Sequence, residues 1–208
     1  AALGASHAGW DARLFERANA FCEVGAGVQL GPNVVRRLQA WGLQKALQEV
    51  VALPQQLVAR SAMNGQVLAS APLGTSMVER YGAAYVTIHR ADLHTVLHNA
   101  ATERADIFIN PGQEVMAVLD TERVTTIRTS ANKEVEGDAL MLADGVWSKL
   151  RGPLLDDATR PRVSGHLAYR ALLPMADVPV GWRSNEVTVW LGPRMHAVHY
   201  PVRRGEMM

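Results

Sequence analysis

Residues 139–143, ALMLA, form a short unbroken apolar run that Asp144-Gly145 halts, the pattern of a strand buried on both faces. Residues 146–151 then mix Trp147, Ser148, Lys149 and Arg151 in the manner of a first helical turn, with Ser148 as its local cap. Upstream, residues 1–7 are predicted helical and Ala8-Gly9 stop them. Residues 11–16, DARLFE, alternate polar and apolar before ending in an acid, as a strand following a helix does. Pro32-Asn33 start a helix over 34–41 that Gly42 closes. The texture changes over 54–85, where apolar stretches at 57–59 and 67–71 flank Asn64-Gly65, the strongest short hairpin signal, and predict an antiparallel excursion. Asp92 stands near the start of a helix with Leu93, Val96 and Leu97 on one face. Residues 112–120 and 123–129 read as a strand pair. Residues 165–173, 186–191 and 196–202 read as strands of a broad antiparallel sheet that continues the excursion.

At 208 residues the chain builds one large domain or two small ones. Its 48% hydrophobic content and formal charge of +1 place it among ordinary soluble globular proteins. The basic residues are scattered, so a nucleic-acid partner has no electrostatic footprint. A single cysteine, Cys22, excludes an internal disulfide framework and fits a reducing compartment. No apolar run approaches the roughly 18–20 residues of a membrane span, and no signal peptide is marked, so a cytoplasmic location is expected. Both ends read as cut, which predicts a fragment. No repeat or low-complexity segment interrupts the chain.

A buried strand that delivers an acid, a glycine and a helix start is where open α/β sheets place a ligand, although Asp-Gly is also an ordinary turn pair. Glu16, at a strand tip, is either the carboxylate that holds an adenosine ribose or a solvated acid. Residues 23–33, EVGAGVQLGPN, imitate the pyrophosphate fingerprint, but the spacing is GxGxxxG and no strand leads directly into it. Those glycines instead let a loop pass close to another backbone or a flat ligand. Arg90, beside a helix start, suits phosphate oxygens. His94 and His98 stand four apart, with Glu103 as a third metal ligand, against the plainer reading of solvent-facing histidines on an amphipathic helix.

Taken together, Glu16 after its strand, EVGAGVQLGPN, HRADLH (89–94), ADGVWSKLR (143–151), GHLAYR (165–170) and WLGPRMHAVHYPVRRG (190–205) resemble the FAD-dependent aromatic-ring hydroxylases, typified by salicylate and p-hydroxybenzoate hydroxylases. The resemblance spans nearly the whole chain. It implies an α/β fold, α+β overall: a Rossmann-like FAD-binding domain (1–53 and 86–160) with an inserted antiparallel-sheet substrate domain (54–85 and 161–208), both incomplete. Glu16 would hold the adenosine ribose, Val115 would offer backbone to the adenine, and Arg90 would reach the pyrophosphate or ribityl region. Gly27 and Val28, in the 25–28 loop, would pass close to the flavin. Asp144 and Gly145 match the family's Asp-Gly motif, associated with both FAD and the nicotinamide cofactor. His166, Tyr169, His196 and His199 would lie on the substrate sheet, in the active site or in ordinary strand packing.

The implied reaction is hydroxylation of a small aromatic acid by molecular oxygen, with FAD, NAD(P)H as reductant and a flavin C4a-hydroperoxide, in a dry pocket. A homodimer is compatible. The family's first strand and GxGxxG loop would precede Ala1, and its Gly-Asp segment would follow Met208. The competing expectations are a truncated, non-catalytic remnant or interaction module of the same fold, and a metal-binding protein using His94 and His98.

Overall fold

The structure, a computed structural model, describes residues 1–21, 25–120, 124–156 and 159–208. Cys22, the first two positions of the 23–33 stretch and Arg123 therefore lie outside the described residues. In chain order the elements are α1 (Ala2–His7), β1 (Ala12–Phe15), β2 (Gly27–Leu30), α2 (Pro32–Ala40), α3 (Gln44–Gln48), β3 (Val51–Ala52), β4 (Gln56–Ser61), β5 (Val67–Pro72) and α4 (Gly74–Tyr81). They continue as β6 (Val86–His89), α5 (Arg90–Thr102), β7 (Ile107–Asn110), β8 (Val115–Asp120), β9 (Thr125–Thr129), β10 (Glu134–Gly137), α6 (Arg151–Leu155), β11 (Glu186–Gly192) and β12 (Met195–His199). The fold is mixed α/β with several small sheets. It divides into two compact units, residues 1–21 with 101–169, and residues 22–100 with 170–208.

In the first unit β1 pairs in parallel with β7, from Ala12 opposite Ile107 to Phe15 opposite Asn110. The α1 helix packs on this pair through buried Leu3 and Ser6. Gly9, at φ 85°, lets the chain leave α1 through a left-handed residue, which glycine alone adopts freely. Strands β8, β9 and β10 form an antiparallel meander, with β9 in the middle burying Ile127 and Thr126.

In the second unit β6 is the middle strand of β2-β6-β3 and is buried at all four positions, because partners flank it on both edges. Ile88 on that strand is fully buried. Burying a side chain of that size contributes about 1.5–3 kcal/mol. The other sheet runs β12-β11-β4-β5. The β4–β5 hairpin turns through Gly65 at φ 75°, as Asn64-Gly65 predicts. Helix α2 starts at Pro32 and is followed by Gly42 at φ 79°, again as the sequence predicts.

Five expectations are corrected. Residues 139–143 form no strand and are largely exposed, with Met141 at 71%. Among the described residues no strand runs beside them, and an apolar run becomes a buried strand only where a neighbour supplies the hydrogen-bond ladder and a cover. The helix expected from Val146 begins at Arg151 instead, although Ser148 does cap locally: its Oγ accepts from the Arg151 N–H at 3.0 Å. Residues 165–173 form no strand and are largely open to solvent, Leu167 at 82%: among the described residues no strand runs beside 165–172, while Leu173 exchanges backbone hydrogen bonds with Met208 at 2.9 Å. The sheet that unites the two hairpins is mixed, because β11 joins β4 in parallel while β4–β5 and β11–β12 are antiparallel. Strand β12 also stops at His199, short of 202, where Pro201 has no N–H to continue a ladder. The local pattern gives no sign of helices α3 and α4 or of strands β2, β3, β6, β7 and β10.

Candidate functional site

The tip of β1 gathers several chain segments of the first unit. The Glu16 N–H donates to the Asn110 carbonyl at 3.1 Å, and its own carbonyl accepts from Gln113 N–H at 2.8 Å. One Glu16 carboxylate oxygen, Oε1, accepts from the Ala18 N–H at 2.8 Å. Gly112, at φ 69°, accepts the Asn19 side chain so closely that a β-carbon would stand 2.8 Å from Asn19 Oδ1. Two residues beyond Gln113, Val115 opens β8 opposite Thr129, with a bulge between Val115 and Ala117. β8 is an edge strand, so among the described residues its outer side has no strand partner.

The segment after Asp144-Gly145 is tied to the same place. Lys149 Nζ donates to Glu114 Oε1 at 2.9 Å. The Lys149 ammonium, by that hydrogen bond and by its charge, holds the Glu114 carboxyl below the usual range, and Arg17 adds to the effect. Asp144 and Gly145 are themselves exposed, and Gly145 sits at φ 82° with open space around it. Thus Glu16 meets Gln113, and Lys149, four residues after Gly145, meets Glu114, the residue before Val115, all within one unit.

The second unit holds the other residues singled out from the chain. Arg90 is exposed at the first position of α5, and its N–H donates to the Ala26 carbonyl at 2.9 Å. Gly27 and Val28 are in β2, opposite His89 and Ile88. The glycines there face protein rings. A β-carbon on Gly25 would stand 2.1 Å from the His89 imidazole, and one on Gly27 2.5 Å from the Tyr200 ring. The spacing that imitates a phosphate loop therefore serves close side-chain packing.

His94 and His98 stack with ring centroids 6.1 Å apart. They are not joined by Glu103 into a metal site: among the described residues no three His, Cys, Asp or Glu side chains are gathered as ligands. His166 and Tyr169 lie on the irregular stretch, Tyr169 91% exposed, and His166 Nδ1 is 3.2 Å from Ser164 Oγ. His196 is exposed on β12. His199 differs: its ring lies 5.8 Å from that of Trp182 and 6.3 Å from that of Trp190, and both its nitrogens are shut from solvent with no hydrogen-bond partner among the described residues. Burial pushes its pKa down, with Glu186 opposing and Arg60 reinforcing the shift. The expected substrate-side residues thus do not share one strand.

The chain pattern does not single out His89, Tyr200 or Arg203, whose side chains meet Gly25, Gly27 and Asp92 respectively. HRADLH contains His89 in plain view, yet no local pattern pairs it with residues more than 100 positions away.

The chain matches no family model. It is 32% identical over 206 residues to 3-hydroxybenzoate 6-hydroxylase of Polaromonas naphthalenivorans, covering 99% of this chain and 51% of that one. It is 34% identical over 208 residues to 3-hydroxybenzoate 6-hydroxylase 1 of Aquipseudomonas alcaligenes, covering 100% and 52%. Among solved structures, Klebsiella pneumoniae HpxO complexed with FAD and uric acid aligns with a TM-score of 0.73 at 20% identity, over 99% of this chain and 50% of that one. The chain spans about half the length of the curated relatives it matches.

Proposed function

We propose, on the premise that the chain is related over almost its whole length to the FAD-dependent aromatic-ring hydroxylases, that its protein is a monooxygenase that hydroxylates a small aromatic acid. The observation that carries this reading is the 34% identity across all 208 residues with a 3-hydroxybenzoate 6-hydroxylase. In the proposal the segments 1–53 and 86–160 form a Rossmann-like FAD-binding domain, and 54–85 with 161–208 an inserted substrate domain. The protein works in the cytoplasm, and a homodimer is compatible with it.

The donor set at the β1 tip suits an adenosine. A carboxylate at a strand tip accepts hydrogen bonds from ribose hydroxyls, which is the role proposed for Glu16. The outer edge of β8 leaves backbone groups near Val115 available to an adenine edge. Asp144 and Gly145, exposed beside a left-handed turn, leave room for a phosphate or ribityl chain to approach. On the second unit Arg90 supplies a fork for phosphate oxygens, and Gly27 with Val28 lines the flavin side. When bound, FAD with NAD(P)H as reductant supplies the electrons that activate molecular oxygen for transfer to the ring. The protein's own part is to hold the substrate, exclude water and keep a neutral base available. His166, Tyr169 and His199 are the proposed substrate-side groups, and burial keeps the His199 imidazole neutral near pH 7.

The test is to purify the intact protein and record its flavin absorbance, then its NAD(P)H oxidation and oxygen uptake with hydroxybenzoates. Stoichiometric flavin and substrate-stimulated uptake with a hydroxylated product are expected. An intact protein that takes up no flavin when reconstituted with FAD overturns the reading.

A further inference from the structure

Asp92, Arg203 and His89 form a partly buried polar network, with 42% of the Arg203 side chain exposed, to which none of the roles above gives a purpose. Arg203 Nε donates to Asp92 Oδ2 at 2.8 Å and Nη2 to Oδ1 at 3.0 Å, a fork-on-fork pair that fixes both side chains in direction as well as distance. Arg203 Nη2 also lies 3.5 Å from His89 Nδ1, and Asp92 Oδ1 lies 3.8 Å from the same nitrogen. Only 18% of the Asp92 side chain is exposed, so its charge is partly withdrawn from water and depends on its partner.

The geometry around this network is costly to form. Arg203 and Arg204 both adopt left-handed backbone, at φ 49° and 57°, a region that residues with a β-carbon seldom occupy. The turn after β12 is thus bent so that the guanidinium meets the first turn of α5. The third member, His89, is buried at the end of β6 and packs against Gly25 so tightly that no β-carbon fits there. The next residue, Arg90, donates its N–H to Ala26 in the same loop. Three separate stretches are therefore locked together around the base of Arg90: the 25–27 loop, the β6–α5 junction and the 203–205 turn.

We propose that Asp92 and Arg203 are positioning residues: their ion pair, buttressed by His89, fixes the start of α5 so that Arg90 is held ready for the cofactor's phosphate groups. This rests on the reading of Arg90 as a cofactor-binding residue. Arg203 stands in the stretch that follows the substrate sheet, so the brace also joins that sheet mechanically to the cofactor arginine. An arginine side chain has several rotatable bonds, and a fixed helix start removes part of the freedom that binding would otherwise have to restrict.

The test is a double-mutant cycle on FAD affinity in the intact apoprotein, read by quenching of flavin fluorescence, with thermal unfolding as the check on folding. R90A is expected to weaken FAD binding about tenfold or more. D92N and R203Q are each expected to weaken it about tenfold while Arg90 is present and to add little in the R90A background, since a residue that acts through Arg90 then has nothing to act through. R203K keeps the charge but loses the fork, so it falls between, and it carries the same cycle should D92N or R203Q fail to fold. Unchanged FAD affinity in R90A overturns the role of Arg90 on which this rests. A weakened R90A beside full affinity in D92N and R203K, or losses that persist undiminished without Arg90, overturns the brace.

Discussion

The Ser6 hydroxyl donates to Asp106 Oδ2 at 2.8 Å, joining α1 to the start of β7 across 100 positions of chain. Arg104 completes the group, its Nε and Nη2 each 3.0 Å from an Asp106 oxygen. The Arg104 hydrogen bonds first, and that of Ser6 second, hold the Asp106 carboxyl down at about 2, from the ordinary 3.8.

From that follows a pH dependence with a definite sign. The folded form binds the proton less readily than the unfolded chain, so the stabilisation is fully present above the unfolded pKa and is lost as pH falls from about 4 toward 2. Asp106→Asn is expected to unfold at lower denaturant concentration at neutral pH and to show a shallower loss over that window. Urea midpoints measured at several pH values for both proteins check it, and parallel curves would contradict it.

His199 gives the opposite half of the range. Its pKa lies below the ordinary 6.5, chiefly because burial disfavours the imidazolium, so the unfolded chain protonates first and stability falls as pH drops below about 6.5. Replacing it with phenylalanine is expected to flatten the dependence between pH 7 and 5. The rings of Trp182 and Trp190 are 5.0 Å apart beside it, so their fluorescence reports the transition directly.

Gly25→Ala is expected to destabilise by about 1–3 kcal/mol, the usual cost of overpacking. Its β-carbon would enter the His89 ring at 2.1 Å, and that ring is buried and cannot simply swing aside. Adding His89→Ala should recover part of the loss, as measured by denaturant midpoints. Gly9→Ala makes the comparison: it meets nothing within 4 Å, so any cost there is backbone strain alone.

Core and irregular segments should respond differently to truncation. Ile88→Ala is expected to cost about 2–5 kcal/mol, because the site on β6 is completely enclosed. Leu167→Ala is expected to stay within about 0.5 kcal/mol, as for an exposed side chain. A large loss at Leu167 in thermal unfolding would mean that 165–173 is covered after all.

The sequence by itself determined the features whose causes lie within a few residues of each other. Proline fixes φ at the start of α2, Gly42 takes the left-handed turn behind it, and Asn64-Gly65 folds β4 back on β5. It likewise marked Glu16 as a strand-end acid and showed that the 25–31 glycines have the wrong spacing for a phosphate loop. Tertiary structure alone decided whether an apolar run becomes a strand. Residues 139–143 carry every local mark of one, yet among the described residues no strand runs beside them to satisfy their backbone groups. It also decided that β11 meets β4 in parallel and that Arg203 reaches Asp92, 111 residues away. Such pairings depend on which surfaces meet once each element has formed, and no short window of sequence contains both partners.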